Sequence, residues 1–360
     1  MTTITRKPAL AAAVWSAGYA ALGAAWAFGM PGFPWGAGDP DPDGALSLLA
    51  GLDPGPGAWW VAAFAALALV VSVALATTPR PGGLGGRAAV ASAWALAVLL
   101  VLAIPDSRLM MGVAYTPLLL FSGFFDGPFG QVGLADAWPW PVLNQLLCLL
   151  GGLLLARAAV AYRRRARAAC GRGEEESGWT SRESAARWGR RAVAVAVATP
   201  LVYCMTRWAW ALGIPLGVSP EFLEEGSRDA PGLWLAGAYL ATFGALGGLL
   251  TLGLVQRWGE VFPRWIPGLR GRRVPPLLAI VPASFVAIII VVAGLTYVRA
   301  TIAGRFAMSE WGAWLPECFW PVWGAALGAA ALAYHLRRRP PCRRCGRGSV
   351  RLVTTSVGTD

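Results

Sequence analysis

Recurrent apolar runs of about 20 residues constrain this sequence more than any other feature. A hydrocarbon core about 30 Å thick needs about 20 helical residues to cross. Eight stretches qualify: 9–30, 59–77, 88–104, 141–161, 192–216, 234–255, 277–297 and 313–334. Every backbone N–H and C=O in that core must be paired inside the protein, which only helices and closed barrels achieve. Runs this long therefore predict an all-α polytopic membrane bundle of eight transmembrane helices. Composition points the same way: 14% of the 360 residues are charged and 56% are hydrophobic, against about 25% charged in a soluble domain. The first run is too long for a secretory signal, and Met30-Pro31-Gly32 lacks the small-x-small cleavage pattern. Near-exclusive use of Arg over Lys suggests a GC-rich bacterial genome.

Charge sets the expected orientation, because cytoplasmic loops are enriched in Arg and Lys. The N-terminus, residues 78–87, 162–191 and 256–276, and the tail from His335 together hold 25 basic residues. The alternate loops (31–58, 105–140, 217–233 and 298–312) hold four, Arg108, Arg228, Arg299 and Arg305, beside 12 acidic residues. Both termini are thus predicted to be cytoplasmic, in a bacterial plasma membrane. Residues 109–125 are apolar enough to suggest a further crossing. A crossing there would place Arg163, Arg164, Arg165 and Arg167 outside, so this stretch is read as re-entrant or interfacial, broken by Pro117 and Gly123. The basic excess is mainly a matter of topology and of attraction to anionic headgroups. No phosphate-tracking face is present, so nucleic acid is not an expected partner.

The two halves resemble each other. Tyr19, Trp26, Gly29 and Pro31 recur as Tyr203, Trp210, Gly213 and Pro215 at a constant offset of 184, and Ala161-Tyr162 and Ala333-Tyr334 end the fourth and eighth runs alike. Four spans per half give both halves one orientation, which makes this a tandem parallel 4+4 repeat about an axis along the membrane normal. The expected organisation is a first half over 1–161, a basic linker over 162–191, a second half over 192–335 and a basic tail over 336–360 that lacks apolar periodicity. The halves differ most at loops 105–140 and 256–276, which become candidate functional loops.

Few residues are equipped for chemistry. Charged side chains inside spans usually face the bundle interior or a partner. Arg207 lies eight residues before Pro215, and Glu317 lies about one turn into the eighth run, so the two are candidates for a ligand-binding or structural charge pair. The alternative is that Arg207 extends outward beside Trp208 and Trp210. Asp39-Pro-Asp41-Pro-Asp43-Gly44 has the opening spacing of a calcium loop, but its two prolines and the Ala50 at the bidentate position oppose that reading. Cys342-Arg-Arg-Cys345 is a lone C-x-x-C, with Cys170 and His335 as the residues that would complete a zinc set; reduced cysteines in a basic tail account for it more simply. Cys148, Cys204 and Cys318 read as packing residues. H-E-x-x-H, Walker A and G-x-S-x-G motifs are all absent, and no cofactor signature is found. An enzyme is therefore the least supported class.

Among the 19 tryptophans, Trp35, Trp59, Trp60, Trp138, Trp140, Trp234, Trp311 and Trp314 fall at expected outer boundaries, as an aromatic belt would. The loop from Trp258 through Glu260, Phe262, Arg264 and Trp265 is amphipathic, its rings suited to headgroups and its arginines to anionic lipid. The segments WGEVFPRWIPGLRGRRVPP and TRWAWALGIP, with the GMPGFPWG end of the first run, resemble uncharacterised multi-pass membrane proteins of actinobacteria. That resemblance implies the same membrane architecture and no activity. Two functional classes follow. One is a permease-like protein that binds or passes a small molecule or lipid between the halves. The other is a non-catalytic scaffold or accessory subunit that meets a protein partner, or a second copy of itself, through loops 162–191 and 256–276.

Overall fold

The computed structural model describes residues 3–41, 46–78, 83–121, 133–166 and 178–339. Its α-helices are α1 (Thr3–Ala27), α2 (Pro54–Thr77), α3 (Leu84–Val98), α4 (Ser107–Phe121), α5 (Leu134–Ala137), α6 (Trp140–Ala166), α7 (Arg182–Ala211), α8 (Pro220–Asp229), α9 (Leu233–Leu252), α10 (Pro276–Ile302), α11 (Leu315–Cys318) and α12 (Trp320–Arg337). A π-helical segment, Leu99–Ala103, continues α3. Among the described residues the only β pairing is an isolated bridge between Val261 and Arg273.

Seven helical stretches are long and apolar enough to cross a membrane: Arg6–Ala27, Pro54–Thr77, Leu84–Ala103, Trp140–Arg165, Arg182–Ala211, Leu233–Leu252 and Pro276–Ile302. The chain is thus an all-α, multi-pass membrane protein in its architecture. The eighth apolar run is subdivided. A 3-10 stretch, Met308–Ala313, and the one-turn α11 precede α12, which begins only at Trp320 and spans 18 residues. Pro316 and Pro321 explain the break, since each lacks an N–H and clashes with the preceding turn unless it opens a new helix. Pro117, by contrast, sits inside α4, which runs on to Phe121 instead of ending there; Gly123 lies outside the described residues. At about 1.5 Å per residue the 15 residues of α4 fall short of a bilayer's thickness.

Local signals set the helix ends. Ser181 accepts from the Ser184 amide and starts α7 ten residues before the expected span, so the later part of the basic linker is helical. Ser219 caps α8 in the same way, with Pro220 at the first helical position. α1 and α7 close alike. Gly29 (φ 91°) and Gly213 (φ 77°) adopt left-handed backbone. Met30 donates to Ala25 O and Ile214 to Ala209 O, each completing a Schellman turn. Glycine fits these positions because other L residues meet a Cβ penalty there.

Packing follows one pattern twice. In the N-terminal part α1 lies against α2 and α6, and α3 against α6; in the C-terminal part α7 lies against α9 and α12, and α10 against α12. Gly152 on α6 seats the α3 side, where an added Cβ would meet Val101 Cγ2 and Ala97 O. Gly324 on α12 seats α10, where an added Cβ would meet Val291 Cγ2 and Ala287 O. At the far ends of these helices Tyr162 and Tyr334 are fully buried. Three residues on, Arg165 donates to Leu75 O at the end of α2 and Arg337 to Leu254 O just past the end of α9. The patterns part company around α9: α2 packs on both α3 and α6, whereas α9 has no comparable contact with α10 or α12. The two parts meet through α4, α6 and the π segment on one side and α10 on the other, across a core of Leu109, Val142, Leu149 and Ile289, and through α4 and α9, where Tyr115 donates to Ala236 O and stacks on Tyr239.

Candidate functional site

Arg207 projects from the last turns of α7 into the C-terminal four-helix part. Tyr203 and Trp210, at i−4 and i+3, share its helix face and enclose the guanidinium, with ring centroids 4.7 and 4.2 Å from its central carbon. The side chain is almost wholly buried. Nη1 donates to Gly312 O at 3.0 Å and Nη2 is ion-paired with Glu317 Oε1. Glu317 sits on α11, and its segment is tied down where the Gly312 amide donates to Gly217 O at 2.8 Å.

The pair leaves hydrogen-bonding capacity unused. Glu317 is 1% exposed, and its second oxygen, Oε2, is buried without a partner, as are the indole N–H groups of Trp320 and Trp323. Trp320 stands edge-on to both Tyr203 and Tyr297, with centroids 5.3 and 5.7 Å apart. Desolvating two charges in a low-dielectric core roughly offsets their attraction, so such a pair is weak evidence for stability. Buried polar atoms left unpaired carry a further cost of about 1–3 kcal/mol each. An Arg–Glu pair with a spare carboxylate oxygen, walled by tyrosine and tryptophan, is chemically suited to a small molecule that presents a hydrogen-bond donor.

Next to Trp210 lies an open cavity of about 700 Å³, lined by Trp210, Gly213, Pro215, Leu223, Glu224 and Arg228 among others. Trp210 is both a wall of that cavity and a cover over the Arg207 guanidinium. Its indole N–H donates to Leu216 O at 3.0 Å, and its ring packs edge-on against Trp234.

Sequence reasoning missed a second polar cluster. Arg108, at the start of α4, donates to both carboxylate oxygens of Asp39, at 2.8 and 2.7 Å, and to Asp106 at 3.2 and 2.8 Å. Gln145 on α6 completes the cluster, donating to Asp106 Oδ2 and accepting from the Asp106 amide. Burial raises the Asp39 carboxyl, but hydrogen bonds from Arg108 and from the Asp41 amide outweigh it and hold the group below its ordinary value. The first aspartate of the calcium-like spacing is thus engaged by an arginine. Asp43 and Gly44 lie outside the described residues, and among those described no group of three metal-ligating side chains occurs. The available signal was Arg108 itself, the sole basic residue in loops 31–58 and 105–140.

The other expected residues fall as follows. Tyr19 and Tyr203, and Trp26 and Trp210, are buried in their respective parts, and Pro31 and Pro215 lie exposed beyond the helix ends. At the offset of 184, the counterpart of Arg207 is Gly23, where an added Cβ would come within 2.7 Å of the Ala62 backbone nitrogen. Arg207 instead faces Gly237 on α9. The first part therefore packs two helices closely where the second makes room for a charge. The tryptophan belt needs correction: Trp59, Trp60, Trp140 and Trp311 are exposed, but Trp35 and Trp314 are buried. Trp35 stacks edge-on with Trp26 and Phe33, and Trp314 lies parallel to Phe306, because ring contacts inside the protein remove more apolar area than the headgroup level offers.

In the 256–276 loop, Trp258 folds back over Gly253, Phe262 is half-buried, and Arg264 and Trp265 are exposed. Glu260 is ion-paired with Arg337 at 3.2 Å. Cys148 and Cys204 are buried and Cys318 is partly buried, all as free thiols; Cys170, Cys342 and Cys345 lie outside the described residues. No protein-family model, curated protein or solved structure matches the chain.

Proposed function

We propose that this is a permease-like protein of a bacterial plasma membrane, with both termini cytoplasmic. In this reading it binds a small molecule at Arg207 and Glu317 from the outer side. One observation carries the proposal: a buried ion pair within a membrane helix bundle that keeps an unpartnered carboxylate oxygen, separated from an open cavity by the Trp210 ring. The ligand class is a small molecule bearing an ammonium or hydroxyl donor for Glu317 Oε2. The site lies inside the second half, formed by α7, α11 and the segment before it, and not between the halves.

The same reading includes a tandem 4+4 repeat in which α12 is the eighth crossing, and membership of the actinobacterial multi-pass proteins that the sequence resembles. The repeated neighbour pattern supports it, as do the paired glycines Gly152 and Gly324 and the paired arginine latches Arg165 and Arg337. A second half that departs from the first by placing Arg207 where Gly23 stands is what a specialised binding site within a repeat would look like. The test is a thermal-shift screen of the purified full chain against small amines, amino acids and polyols. A ligand at a hundred times its Kd stabilises by about 2.7 kcal/mol. The proposal requires a hit whose shift disappears in Arg207→Leu/Glu317→Leu; a hit that persists in this double variant binds elsewhere and refutes it.

A further inference from the structure

A second cavity, independent of the Arg207 site, lies at the opposite end of the same helices. Its volume is about 870 Å³, within the roughly 300–1,000 Å³ range of ligand sites. It occupies the space between α9 and α10, which do not pack on each other as α2 and α3 do. Gly247, Leu250 and Leu254 line one wall and Leu278, Pro282 and Val286 the other. Leu249, Leu250, Leu277, Leu278 and Val281 are exposed, so the gap opens sideways, towards lipid, through an apolar mouth.

Loop 256–276 forms the end wall and is built to stay there. Phe262 donates to Arg272 O, and Val274 to Glu260 O, closing a short hairpin. α12 grips that hairpin: Tyr334 donates to Gly259 O at 2.6 Å, Arg338 to Val274 O at 2.9 Å, and Arg337 pairs with Glu260. Phe262, Pro263, Trp265 and Ile266 turn towards the cavity. The intervening and following arginines, Arg264, Arg270, Arg272 and Arg273, are exposed. Among the described residues these four side chains have neither an ion-pair nor a hydrogen-bond partner. An apolar slot whose end-wall hairpin carries four uncommitted arginines matches one chemistry: a hydrocarbon chain joined to an anionic headgroup.

We propose that this cavity is a specific site for an anionic phospholipid, with an acyl chain between α9 and α10 and the headgroup phosphate among the hairpin arginines. Gly247 offers a selective block, because an added Cβ there meets nothing within 4 Å; Gly247→Phe would project into the cavity, and Ala283→Leu fills it from α10 should the first variant not fold. The experiment is native mass spectrometry of the full chain, released from nanodiscs of phosphatidylglycerol and phosphatidylcholine with matched acyl chains. The expected result is one phosphatidylglycerol retained by the wild type and lost from the cavity-filled variant. A chain with all four hairpin arginines changed to Gln should still hold a lipid but lose at least about tenfold of its headgroup preference, each arginine being worth up to about fivefold. Inorganic phosphate and dihexanoyl phosphatidylglycerol should not displace the bound lipid. Equal retention of both lipids by the wild type, undiminished phosphatidylglycerol in the filled variant, a second protein copy instead of lipid, or release by phosphate alone would each overturn the proposal.

Discussion

The guanidinium of Arg207 lies 4.2 Å from the ring centroid of Trp210, one turn further along the same helix. It is held on its other flank by Tyr203 and at its tip by Glu317. A cation so enclosed is matched charge for charge, and the match is what mutation exposes. Arg207→Leu or Glu317→Gln leaves the other partner buried and uncompensated, and each should destabilise by about 3–5 kcal/mol. Replacing both by leucine should recover most of that loss in a denaturant or thermal titration in detergent. Recovery of stability without recovery of ligand binding separates the structural part of the pair from its binding role.

The clamp between Asp39 and Arg108 predicts a pH dependence. The folded-state pKa of Asp39 is depressed, so its contribution is fully present above the unfolded value and is lost as pH falls through the lower, folded one. Stability from this source should hold at neutral pH and fall away only below about pH 4. Asp39→Asn should remove that acid-side loss and lower stability at pH 7 by about 1.5–3 kcal/mol, the usual worth of a hydrogen bond to a charged group. An unchanged acid limb in the variant would show that other carboxylates control it.

Tyr162 and Tyr334 lie near the ends of α6 and α12, yet their hydroxyls differ. That of Tyr334 donates to Gly259 O, whereas that of Tyr162 is buried without a partner. Tyr334→Phe should therefore cost about 0.5–1.5 kcal/mol. Tyr162→Phe should be neutral or stabilising, because it removes an unsatisfied polar atom. Comparison of the two unfolding midpoints checks both statements.

Glycine substitutions should divide by position. Alanine at Gly324 would strike the Ala287 carbonyl and the Val291 backbone, and at Gly152 the Val101 side chain and the Ala97 carbonyl. Overpacking of this kind costs about 1–3 kcal/mol. Alanine at Gly247 meets open space and should stabilise α9 by about 0.5–1 kcal/mol. Thermal midpoints of the three variants in one detergent decide the matter.

Much of this architecture is written in hydropathy, because the bilayer leaves an apolar run of 20 residues one outcome. Seven of the eight runs coincide with helices long enough to cross. Details that depend on single residues were harder to read. The Ser181 cap starts α7 early, and Pro316 and Pro321 divide the last run, neither of which an average over 20 residues registers. Arg207 and Glu317 stood out as charges in apolar surroundings, where burial forces a partner. Asp39 and Arg108 did not, since they lie in polar loops 69 residues apart and nothing periodic links them. Trp35 and Trp314 looked like interface residues from their positions alone; only the folding of their loops over the helix ends buries them.

The permease-like reading requires that water reach the Arg207 pair from the cavity lined by Trp210, Pro215 and Trp234. Single cysteines at positions 203, 207, 210 and 211 share the interior face of α7, and those at 205, 208 and 212 lie on its exposed, lipid-directed face. Only a thiol in water ionises and reacts, so a membrane-impermeant reagent applied from outside reads access directly. The account predicts labelling that follows the interior face down to position 207 and spares 205 and 208. No labelling below Pro215 would mean a sealed bundle; it would contradict the permease-like reading and leave a scaffold that acts through loops 162–191 and 256–276.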